Sequence, residues 1–549
     1  MSSCVLTTQS GSNTVPLFNA WTILWNPDRL RNGLSAYWNA PVFFPHRGTF
    51  AFSEPQPATM LVAPALWATE SPALAYNVYL FVSLFLNGWF SLRLFRRLKF
   101  SSYVSLCGAV AMIWHPMALA QADVIQLIAI WPVIWALTAA IELRSLAVTK
   151  PVDQTNRKRN ILLKGVEAGV ACFSIFAVSV HHGLFVALLL PFCVWPLIPW
   201  RSLKVWWPGA LAMSVVALVF LVPLLWPIHQ ILSQHQFDRP PDLISALSAN
   251  WTDLVNVQPS SLTAWTGSRI NRPWYLSPGW FRTIVAIGGL WGLRSKKTLR
   301  VRPLVRFLIL LALASHLFAL GTNLQIAGWK PWMTLVQWWP GVSQVRNVFR
   351  FGYFSQLSLI LLCACGFEQV SRFLISRHYS SQISVGGVRL LLYGLGFLLA
   401  IEVPPSPLRA VGVPNIAVTQ AWETFVVTRL QPGKGVVMLP YAPDANVLAF
   451  EQTCRWMLRT THRGIPIVNG YSGFFPQSHF DNQALFAVAP FSEEALAKMR
   501  ASQVQFIVMQ KPGDFAGLAG LSAGLDLVFD DGESVTIFEL SVPGSTPTR

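Results

Sequence analysis

A carboxylate among aromatic residues is the first group in this chain that could do chemistry. Glu54 lies in the run Phe50-Ala51-Phe52-Ser53-Glu54-Pro55, just before an apolar stretch at 60–67. A carboxylate held near apolar groups has a raised pKa and can act as a general base. A loop carboxylate that caps the following short helix would look the same. The residues therefore predict a candidate base and leave the capping role open.

A second carboxylate, Asp123, lies in a link of a few residues between two apolar segments. Carboxylates at a membrane boundary are candidates for function because they are costly to place there. Asp is also a favoured N-cap residue, here for a helix that would start at Val124. The two roles are compatible, and both stay open.

Two arginines and two histidines are the basic candidates. Arg346 and Arg350 are four residues apart and would share one helix face, from which guanidinium forks could bind a phosphate. An interface anchor or a salt bridge to the C-terminal region is the alternative. His181 and His182 could bind substrate, but no third ligand is spaced for a metal, and histidines anchoring a helix end explain them more simply. No metal site is predicted.

A glycine- and aromatic-rich run follows a predicted strand near the C-terminal end: Asn469-Gly470-Tyr471-Ser472-Gly473-Phe474-Phe475-Pro476. Its glycines permit a tight turn, and its aromatic rings could pack on a membrane domain or on a sugar face. A structural loop is the favoured interpretation. Asn469 and Tyr471 are retained as candidate binding residues.

The composition indicates what kind of molecule positions these groups. The chain has 549 residues, of which 53% are hydrophobic and 12% charged, about half the charged fraction of a soluble protein. The formal net charge of +17 does not indicate nucleic acid, because the basic residues lie next to apolar segments. Anionic lipid headgroups explain that placement. Seven cysteines are scattered singly and predict neither a disulfide framework nor a zinc site.

About ten apolar stretches are long enough to cross a bilayer. The loops after the first, third, fifth, seventh and ninth are basic, as with Arg93, Arg96, Arg97 and Lys99 after the first, so they face the cytoplasm. Residues 1–72, the Asp123 turn, the His181-His182 turn, residues 228–277 and 321–350, and everything after Pro404 then face outward. Every candidate residue falls on this outer side.

The predicted fold is a polytopic α-helical membrane protein with about ten transmembrane helices and a small C-terminal extracytoplasmic α/β domain. Residues 1–72 form an outer N-terminal segment in which prolines, including Pro16 and Pro27, prevent any long helix. Residues 73–405 form the transmembrane domain and 406–549 the outer domain. In that domain the pattern predicts strands at 435–439, 465–468 and 504–509, a helix at 493–501, and a hairpin of 527–529 with 535–538.

Several stretches together carry a family resemblance. They are Leu17-Phe18-Asn19-Ala20-Trp21, Pro41-Val42-Phe43-Phe44-Pro45 with Ser53-Glu54, Ala75-Tyr76-Asn77, 121–135, 346–351 and 469–476. With these stretches in this order, the chain resembles a bacterial branch of the multi-spanning GT-C-type glycosyltransferases. That branch is related to families that use polyprenyl-phosphate-linked sugars. The run 469–476 is the most distinctive, and the resemblance extends over nearly the whole length.

The resemblance implies an enzyme of the cytoplasmic (inner) membrane. It would move a sugar from a polyprenyl phosphate to an envelope lipid, glycan or protein acceptor on the outer side. Glu54 would be the first-loop carboxylate, and Arg346 and Arg350 would be ligands of the donor phosphate. Membrane lipids and the polyprenyl-phosphate-linked sugar are the implied partners, nucleic acid is not, and a divalent cation stays open as a cofactor.

One departure supports an alternative. Relatives usually begin with an additional membrane helix followed by an Asp, whereas Val15 stands at that place here, before Pro16. The sequence therefore predicts either a missing first helix or a degenerate, non-catalytic member that serves envelope assembly. A transporter ranks last, because the spans are poor in charge, with Glu167 as an exception.

Overall fold

The structure is a computed structural model. It describes residues 2–8, 11–149, 154–237, 239–264, 274–291, 301–378, 385–405, 407–486, 491–511 and 525–540. Its helices are α1 Thr14–Arg31, α2 Ala63–Thr69, α3 Pro72–Arg97, α4 Ser102–Ile113, α5 Pro116–Ala120, α6 Trp131–Val148, α7 Gln154–Val178, α8 Val180–Cys193, α9 Leu203–His235, α10 Pro241–Ala246, α11 Trp280–Trp291, α12 Arg302–Ala319, α13 Pro331–Trp338, α14 Gly352–His378, α15 Val385–Ile401, α16 Ala421–Arg429, α17 Glu451–Arg463, α18 Gln477–Phe486 and α19 Glu493–Ala501. Its strands are β1 Cys4–Thr7, β2 Arg409–Gly412, β3 Gly435–Leu439, β4 Val504–Gln510, β5 Leu525–Asp530 and β6 Val535–Leu540.

Seven helical segments among the described residues are long and apolar enough to cross a membrane. They are Pro72–Arg97, Ser102–Ala120, Ile125–Val148, Asn156–Val178, Trp200–His235, Arg302–Ala319 and Val348–Ser376, and three shorter apolar helices are Val180–Cys193, Trp280–Leu290 and Gly386–Ile401. The protein is therefore a multi-spanning helical membrane protein. These ten segments coincide with the ten predicted spans, although the number that cross the bilayer stays a prediction.

The N-terminal segment contains a long helix that the sequence analysis excluded. Helix α1 has 18 residues, and its side chains from Pro16 to Pro27 are buried. Pro16 lies in the first turn, where a missing N–H costs nothing, and Pro27 lies near the end, so neither interrupts the middle of the helix. The expectation that prolines prevent a long helix before residue 72 is wrong.

The contacts divide the chain into two compact units. The first unit comprises Met1–Tyr79, Leu224–Gln236 and Leu408–Arg549, and the second comprises Leu80–Pro223 and Phe237–Pro407. The first unit contains a mixed sheet in the order β3-β4-β6-β5, in which β3 and β4 are parallel and the other pairs antiparallel. The predicted strands at 435–439 and 504–509, the helix at 493–501 and the hairpin are confirmed. The expected strand at 465–468 is reduced to one bridge, Val436 to Ile467.

The N-terminal residues join this sheet unit through backbone pairing. Strand β1 pairs antiparallel with β2, over 400 residues away in sequence. Phe43 N donates to Asn469 O at 3.1 Å, Phe44 N to Ile467 O at 2.9 Å, and Ile467 N to Pro41 O at 3.0 Å. Residues 41–44 therefore lie along the edge of the C-terminal sheet, next to the segment that bridges to β3.

The long apolar helices differ sharply in burial. Of the spanning window of Val348–Ser376, 89% is buried, against 6% for Trp200–His235. Helix α14 is thus a central helix, and it packs closely on α11, since a Cβ on Gly289 would lie 2.3 Å from Gly366 Cα. Helix α9 presents a nearly continuous apolar surface, as a lipid-facing helix does.

Two charged side chains join α11 and α15 in the interior of the second unit. Glu402 accepts hydrogen bonds from Phe281 N and Arg282 N, both at 2.8 Å, at the first turn of α11. Arg282 donates from Nε to Leu399 O at 2.8 Å and from Nη2 to Ala400 O at 2.9 Å, at the last turn of α15. Both side chains are fully buried. Each charge therefore stabilises helix-end groups of the opposite polarity.

Replacement of Gly279 tests whether Glu402 stabilises the start of α11. Its φ is +120°, and a Cβ would lie 2.4 Å from Glu402 Cδ. Gly279→Ala is expected to displace the carboxylate and to lower the free energy of unfolding by about 2–4 kcal/mol, from backbone strain and a weakened buried charge. Thermal unfolding of the detergent-purified protein measures the loss. Gly288→Ala on α11 meets nothing within 4 Å and is the matched control. Equal melting of the two variants would contradict the role of Glu402.

Candidate functional site

Arg350 lies where the central helix of the second unit begins. It belongs to the 3-10 turn Val348–Phe351 that precedes α14, and its side chain is half-buried. Its Nε donates to Gln121 Oε1 at 2.9 Å, and its guanidinium lies 5.9 Å from the ring centre of Phe349. The charge also interacts with Asp123 and with Arg346. Arg350 is thus fixed in orientation.

Arg346 is close to Arg350, but the predicted shared helix face is wrong. Arg346 lies in an irregular segment before the 3-10 turn and is exposed. Val348 N bonds to Arg346 O at 3.1 Å and Arg350 N to Asn347 O at 3.1 Å, so the chain turns tightly here and α-helical geometry begins only at Gly352. The guanidiniums remain electrostatically coupled because the turn is compact.

The two histidines lie in the first turn of α8, beside the arginines. Ser179 caps this helix by accepting from His182 N at 3.2 Å. His182 is buried and packs on Tyr353 and Phe354, with ring centres 5.4 and 5.8 Å away, so it faces inward and does not anchor a helix end at the membrane interface. His181 interacts electrostatically with Arg350, Arg346 and Arg239.

Arg239 is a member of this site that the sequence analysis missed. Arg239 N bonds to Ser343 O at 3.4 Å, and Gln344 Nε2 donates to Phe237 O at 3.0 Å, which holds its loop against the loop before Arg346. Arg239 lies in the stretch 228–277, predicted to face outward. An arginine there departs from the positive-inside trend just as Arg346 and Arg350 do, and this signal could have found it. We call Arg239, Arg346 and Arg350 the arginine cluster.

Asp123 lies next to this cluster and is not an N-cap. It is half-buried between α5 and the 3-10 turn Ile125–Leu127, whose N-cap is Val124. Helix α6 begins at Trp131 with Ile130 as its N-cap, so the capping interpretation of Asp123 is wrong. Its carboxylate interacts electrostatically with Arg350 and Tyr353. Asp123 therefore belongs to the charged site at the start of α14.

The His182 ring and the Tyr353 hydroxyl place buried polar atoms among these groups. Within the part of the chain that the structure describes, the Nε2 atom of His182 and the hydroxyl of Tyr353 have no hydrogen-bond partner. An unsatisfied buried polar group costs about 1–3 kcal/mol, and such groups are usually explained by a bound water or ligand. The site can therefore supply neutral hydrogen-bonding groups as well as charges.

Glu54 belongs to the first unit, where the C-terminal region holds its segment. It follows the 3-10 turn Thr49–Phe52 and is half-buried. Phe474 N donates to Phe52 O at 3.0 Å, and a Cβ on Gly473 would lie 3.1 Å from that same oxygen. On the other side, Asn26 Nδ2 donates to Pro55 O at 2.7 Å. The backbone on both sides of Glu54 is therefore fixed.

The two candidates in the run 469–476 make packing contacts. Asn469 is buried, with Nδ2 donating to Met438 O and Oδ1 accepting from Met438 N, both at 2.8 Å. The side-chain amide of Asn469 thus pairs with the backbone of β3 as a neighbouring strand would. The Tyr471 ring contacts the rings of Phe18 and Phe450 at 5.3 and 5.2 Å. These contacts support the structural interpretation of the run.

Histidines of the first unit were not singled out from sequence. His46 Nε2 lies 2.7 Å from Ser478 Oγ, and burial together with the nearby His235 lowers the pKa of His46. His479 lies in an aromatic cluster, 4.7 Å from the ring centre of Phe475, and burial lowers its pKa to about 4. His479 is therefore neutral near pH 7.

No group of three His, Cys, Asp or Glu side chains that could hold a metal occurs within the described ranges. No step below is therefore assigned to the divalent cation that the resemblance left open.

Solved structures of other membrane proteins are similar in fold to this chain. The chain is similar to a mutant of the arabinofuranosyltransferase AftD from Mycobacteria, with a TM-score of 0.50 and 14% identity over 98% of this chain and 40% of that one. It is also similar to ArnT from Cupriavidus metallidurans in the apo state, with a TM-score of 0.43 and 12% identity over 98% and 95% of the two chains. For ArnT bound to undecaprenyl phosphate the TM-score is 0.42, with 12% identity over 100% and 96%.

The fold of the chain is thus similar to that of AftD, of whose length the chain spans about two-fifths. No curated protein matches this sequence. A family model described as Domain of unknown function (DUF6311) matches residues 36–376, more than half of the chain, and the protein belongs to this family.

Replacing Asn469 separates its structural role from a binding role. Asn469→Ala removes both bonds to Met438 and leaves that backbone unpaired, so the free energy of unfolding should fall by about 1–3 kcal/mol. Asn415→Ala, at an exposed position of the same unit, should change it little. Thermal unfolding measures both. A variant with unchanged melting and lost ligand binding would instead assign Asn469 to binding.

Because His479 is neutral in the folded protein, the protein should become less stable in acid. Its pKa is about 4 in the folded protein and near 6.5 when unfolded, so between these values the unfolded chain binds the additional proton. Stability should therefore decrease as pH falls from about 6.5 towards 4. Melting temperatures from pH 7 to 4.5 measure the decrease, and His479→Phe should flatten the profile. An equally steep profile in that variant would exclude His479 as the cause.

Proposed function

We propose that this protein is a membrane glycosyltransferase. It transfers a sugar from a polyprenyl-phosphate donor to an envelope lipid, glycan or protein acceptor on the outer side of the cytoplasmic membrane. The observation that carries the proposal is the arginine cluster, which two separate chain segments bring to the start of α14 together with His181, His182 and Asp123. A group of cations at the end of membrane spans suits a lipid phosphate.

The donor phosphate is bound by the arginine cluster. Guanidinium forks match phosphate oxygens, and the fixed Arg350 supplies a preoriented fork. His182 and the Tyr353 hydroxyl lie close to Arg350 and offer additional hydrogen bonds to an oxygen that is removed from water. Asp123 holds the charge of Arg350 in place. The apolar spans that begin and end here accept the polyprenyl chain.

In the reaction, the acceptor hydroxyl oxygen bonds to the anomeric carbon while the bond from that carbon to the phosphate oxygen breaks. The electron pair of that bond leaves with the lipid phosphate, whose increasing negative charge the arginines stabilise. The hydroxyl proton goes to a general base, and Glu54 is the carboxylate that the family resemblance assigns to this role. The fixed backbone around Glu54 fits this role, because a base must be held in place to act efficiently.

The alternative function is a non-catalytic protein of envelope assembly with the same fold. Val15, in place of the Asp expected before Pro16, favours it. A transporter has less support, because Glu167 is neutralised by Arg93 at 2.6 Å and Lys164 at 2.5 Å.

Phosphate binding is tested without knowledge of the sugar. Arg350→Ala should weaken binding of undecaprenyl phosphate, measured by native mass spectrometry of the purified protein, by at least tenfold, because a charge-assisted fork contributes about 1.5–3 kcal/mol. Arg350→Lys keeps the charge but loses the fork and should bind at an intermediate level. Arg389→Ala, at an exposed arginine of the same unit, is the control. Equal binding by all variants would contradict the phosphate site.

Catalysis is tested separately from binding. Glu54→Gln should reduce transfer at least about a hundredfold, as loss of a general base does, while undecaprenyl phosphate binding stays unchanged. Envelope glycans of cells that carry each variant, compared with cells lacking the gene, provide the readout. Glu70→Gln, an exposed carboxylate of the same unit, is the control. Unchanged glycans in both the Glu54→Gln and Arg350→Ala cells would support the non-catalytic alternative.

A further inference from the structure

Residues 325–341 of the second unit form a compact, tryptophan-rich segment between two membrane spans. After α12 ends, Ile326 N bonds to Trp329 O at 2.9 Å and Trp329 N to Ile326 O at 3.0 Å, which closes a two-residue hairpin. Ala327 and Gly328 form its turn, with φ of +49° and +84°. Helix α13 follows, and Trp329 Nε1 donates to Thr334 Oγ1 at 2.9 Å, which joins the hairpin to that helix. The segment is therefore ordered and does not resemble a loose loop.

One buried ring fixes the position of this segment along the spans. Trp332 is 2% exposed, and its ring centre lies 6.5 Å from that of Phe318 and 5.9 Å from that of Phe351. Phe318 belongs to the last turn of α12, and Phe351 ends the turn that opens α14. The segment is consequently held at the level where these two spans end.

Three large apolar side chains of the segment are largely exposed. The exposed fractions are 54% for Ile326, 55% for Trp329 and 81% for Trp338. Lys330 is the one charged residue in 325–341. Leu313 and Leu317 are exposed on α12, just before the segment in the chain. The apolar surface of the segment therefore continues the lipid-facing surface of that span. Exposure of a surface of this composition to water would be unfavourable, because apolar area is more stable in an apolar environment.

We infer that residues 325–341 insert into the boundary between headgroups and acyl chains of the leaflet at which α12 ends and α14 begins. The occupant of the surface is membrane lipid. Tryptophan prefers this boundary because its ring is apolar and its N–H finds a polar partner, and Lys330 reaches anionic headgroups. The inference does not depend on the proposed enzymatic function.

The insertion has a consequence for the arginine cluster. The 3-10 turn Val342–Gln344 follows directly, and Gln344 bonds to the loop that carries Arg239. Arg346 and Arg350 come next in the chain. The inserted segment therefore sets the depth of all three arginines at the membrane surface, where the phosphate of a lipid lies.

Spin labels test the depth. Nitroxides are placed at Ile326→Cys and, separately, at Gln337→Cys, in a background in which the two cysteines described as only half-buried, Cys4 and Cys172, are replaced by Ser. The protein is reconstituted in nanodiscs of phosphatidylethanolamine and phosphatidylglycerol. Collision rates with oxygen and with a water-soluble nickel chelate give the depth of each label. Leu313→Cys on α12 is the membrane reference, and Glu533→Cys, in the polar turn between β5 and β6, is the water reference.

Both test labels should lie between the references, with oxygen collisions several-fold above those of Glu533→Cys and nickel collisions above those of Leu313→Cys. A nickel chelate attached to lipid headgroups should relax them most strongly. Labels that match Glu533→Cys would overturn the inference. Dipolar broadening that grows with the number of protein copies per disc would also overturn it, by showing that a second copy covers the surface.

Discussion

The mutual capping of α11 and α15 by Arg282 and Glu402 is the interaction on which the second unit depends. Inside a membrane every backbone polar group must be satisfied by the protein, and helix ends leave such groups unpaired. Glu402 satisfies two N–H groups of α11, and Arg282 satisfies two carbonyls of α15. Since α11 packs on α14 through Gly289 and Gly366, the position of the turn that carries Arg350 follows from this pair. Loss of one partner would leave the other charge buried and uncompensated.

The charged groups of the second unit serve two different purposes. Glu142 and Glu167 join Arg93, Arg97 and Lys164 in a network at the ends of three spans, and the Trp135 indole donates to Glu167 at 3.0 Å. Every charged group there has an oppositely charged partner, which ties α3, α6 and α7 together. In the arginine cluster, three guanidiniums influence one histidine, and Asp123 is the carboxylate that acts on Arg350. Accumulated positive charge is unfavourable for folding, so this cluster is the better candidate for binding an anion.

Hydropathy was sufficient to locate the apolar helices, because the cost of burying backbone in lipid leaves few alternatives. Local patterns also identified the strands and the hairpin of the C-terminal region. The predictions that were wrong concern features that depend on the local geometry of the backbone. Arg346 and Arg350 are on a 3-10 turn and not on a regular helix, and prolines at its two ends do not interrupt α1. Arg239 was overlooked because contacts between distant loops, and not sequence spacing, bring it to the site.

The pairing of residues 41–44 and 52 with 467–474 was also invisible in sequence, since more than 400 residues separate the partners. It changes how the C-terminal region must be understood. If that region served only to bind a partner, its removal would leave the first loop intact. Instead, it supplies the bonds that hold Phe43, Phe44 and Phe52, and Glu54 follows Phe52 by two residues. A truncation that abolishes function therefore cannot distinguish partner binding from loss of the candidate base. Point substitutions at Glu54 can, because they leave this scaffold in place.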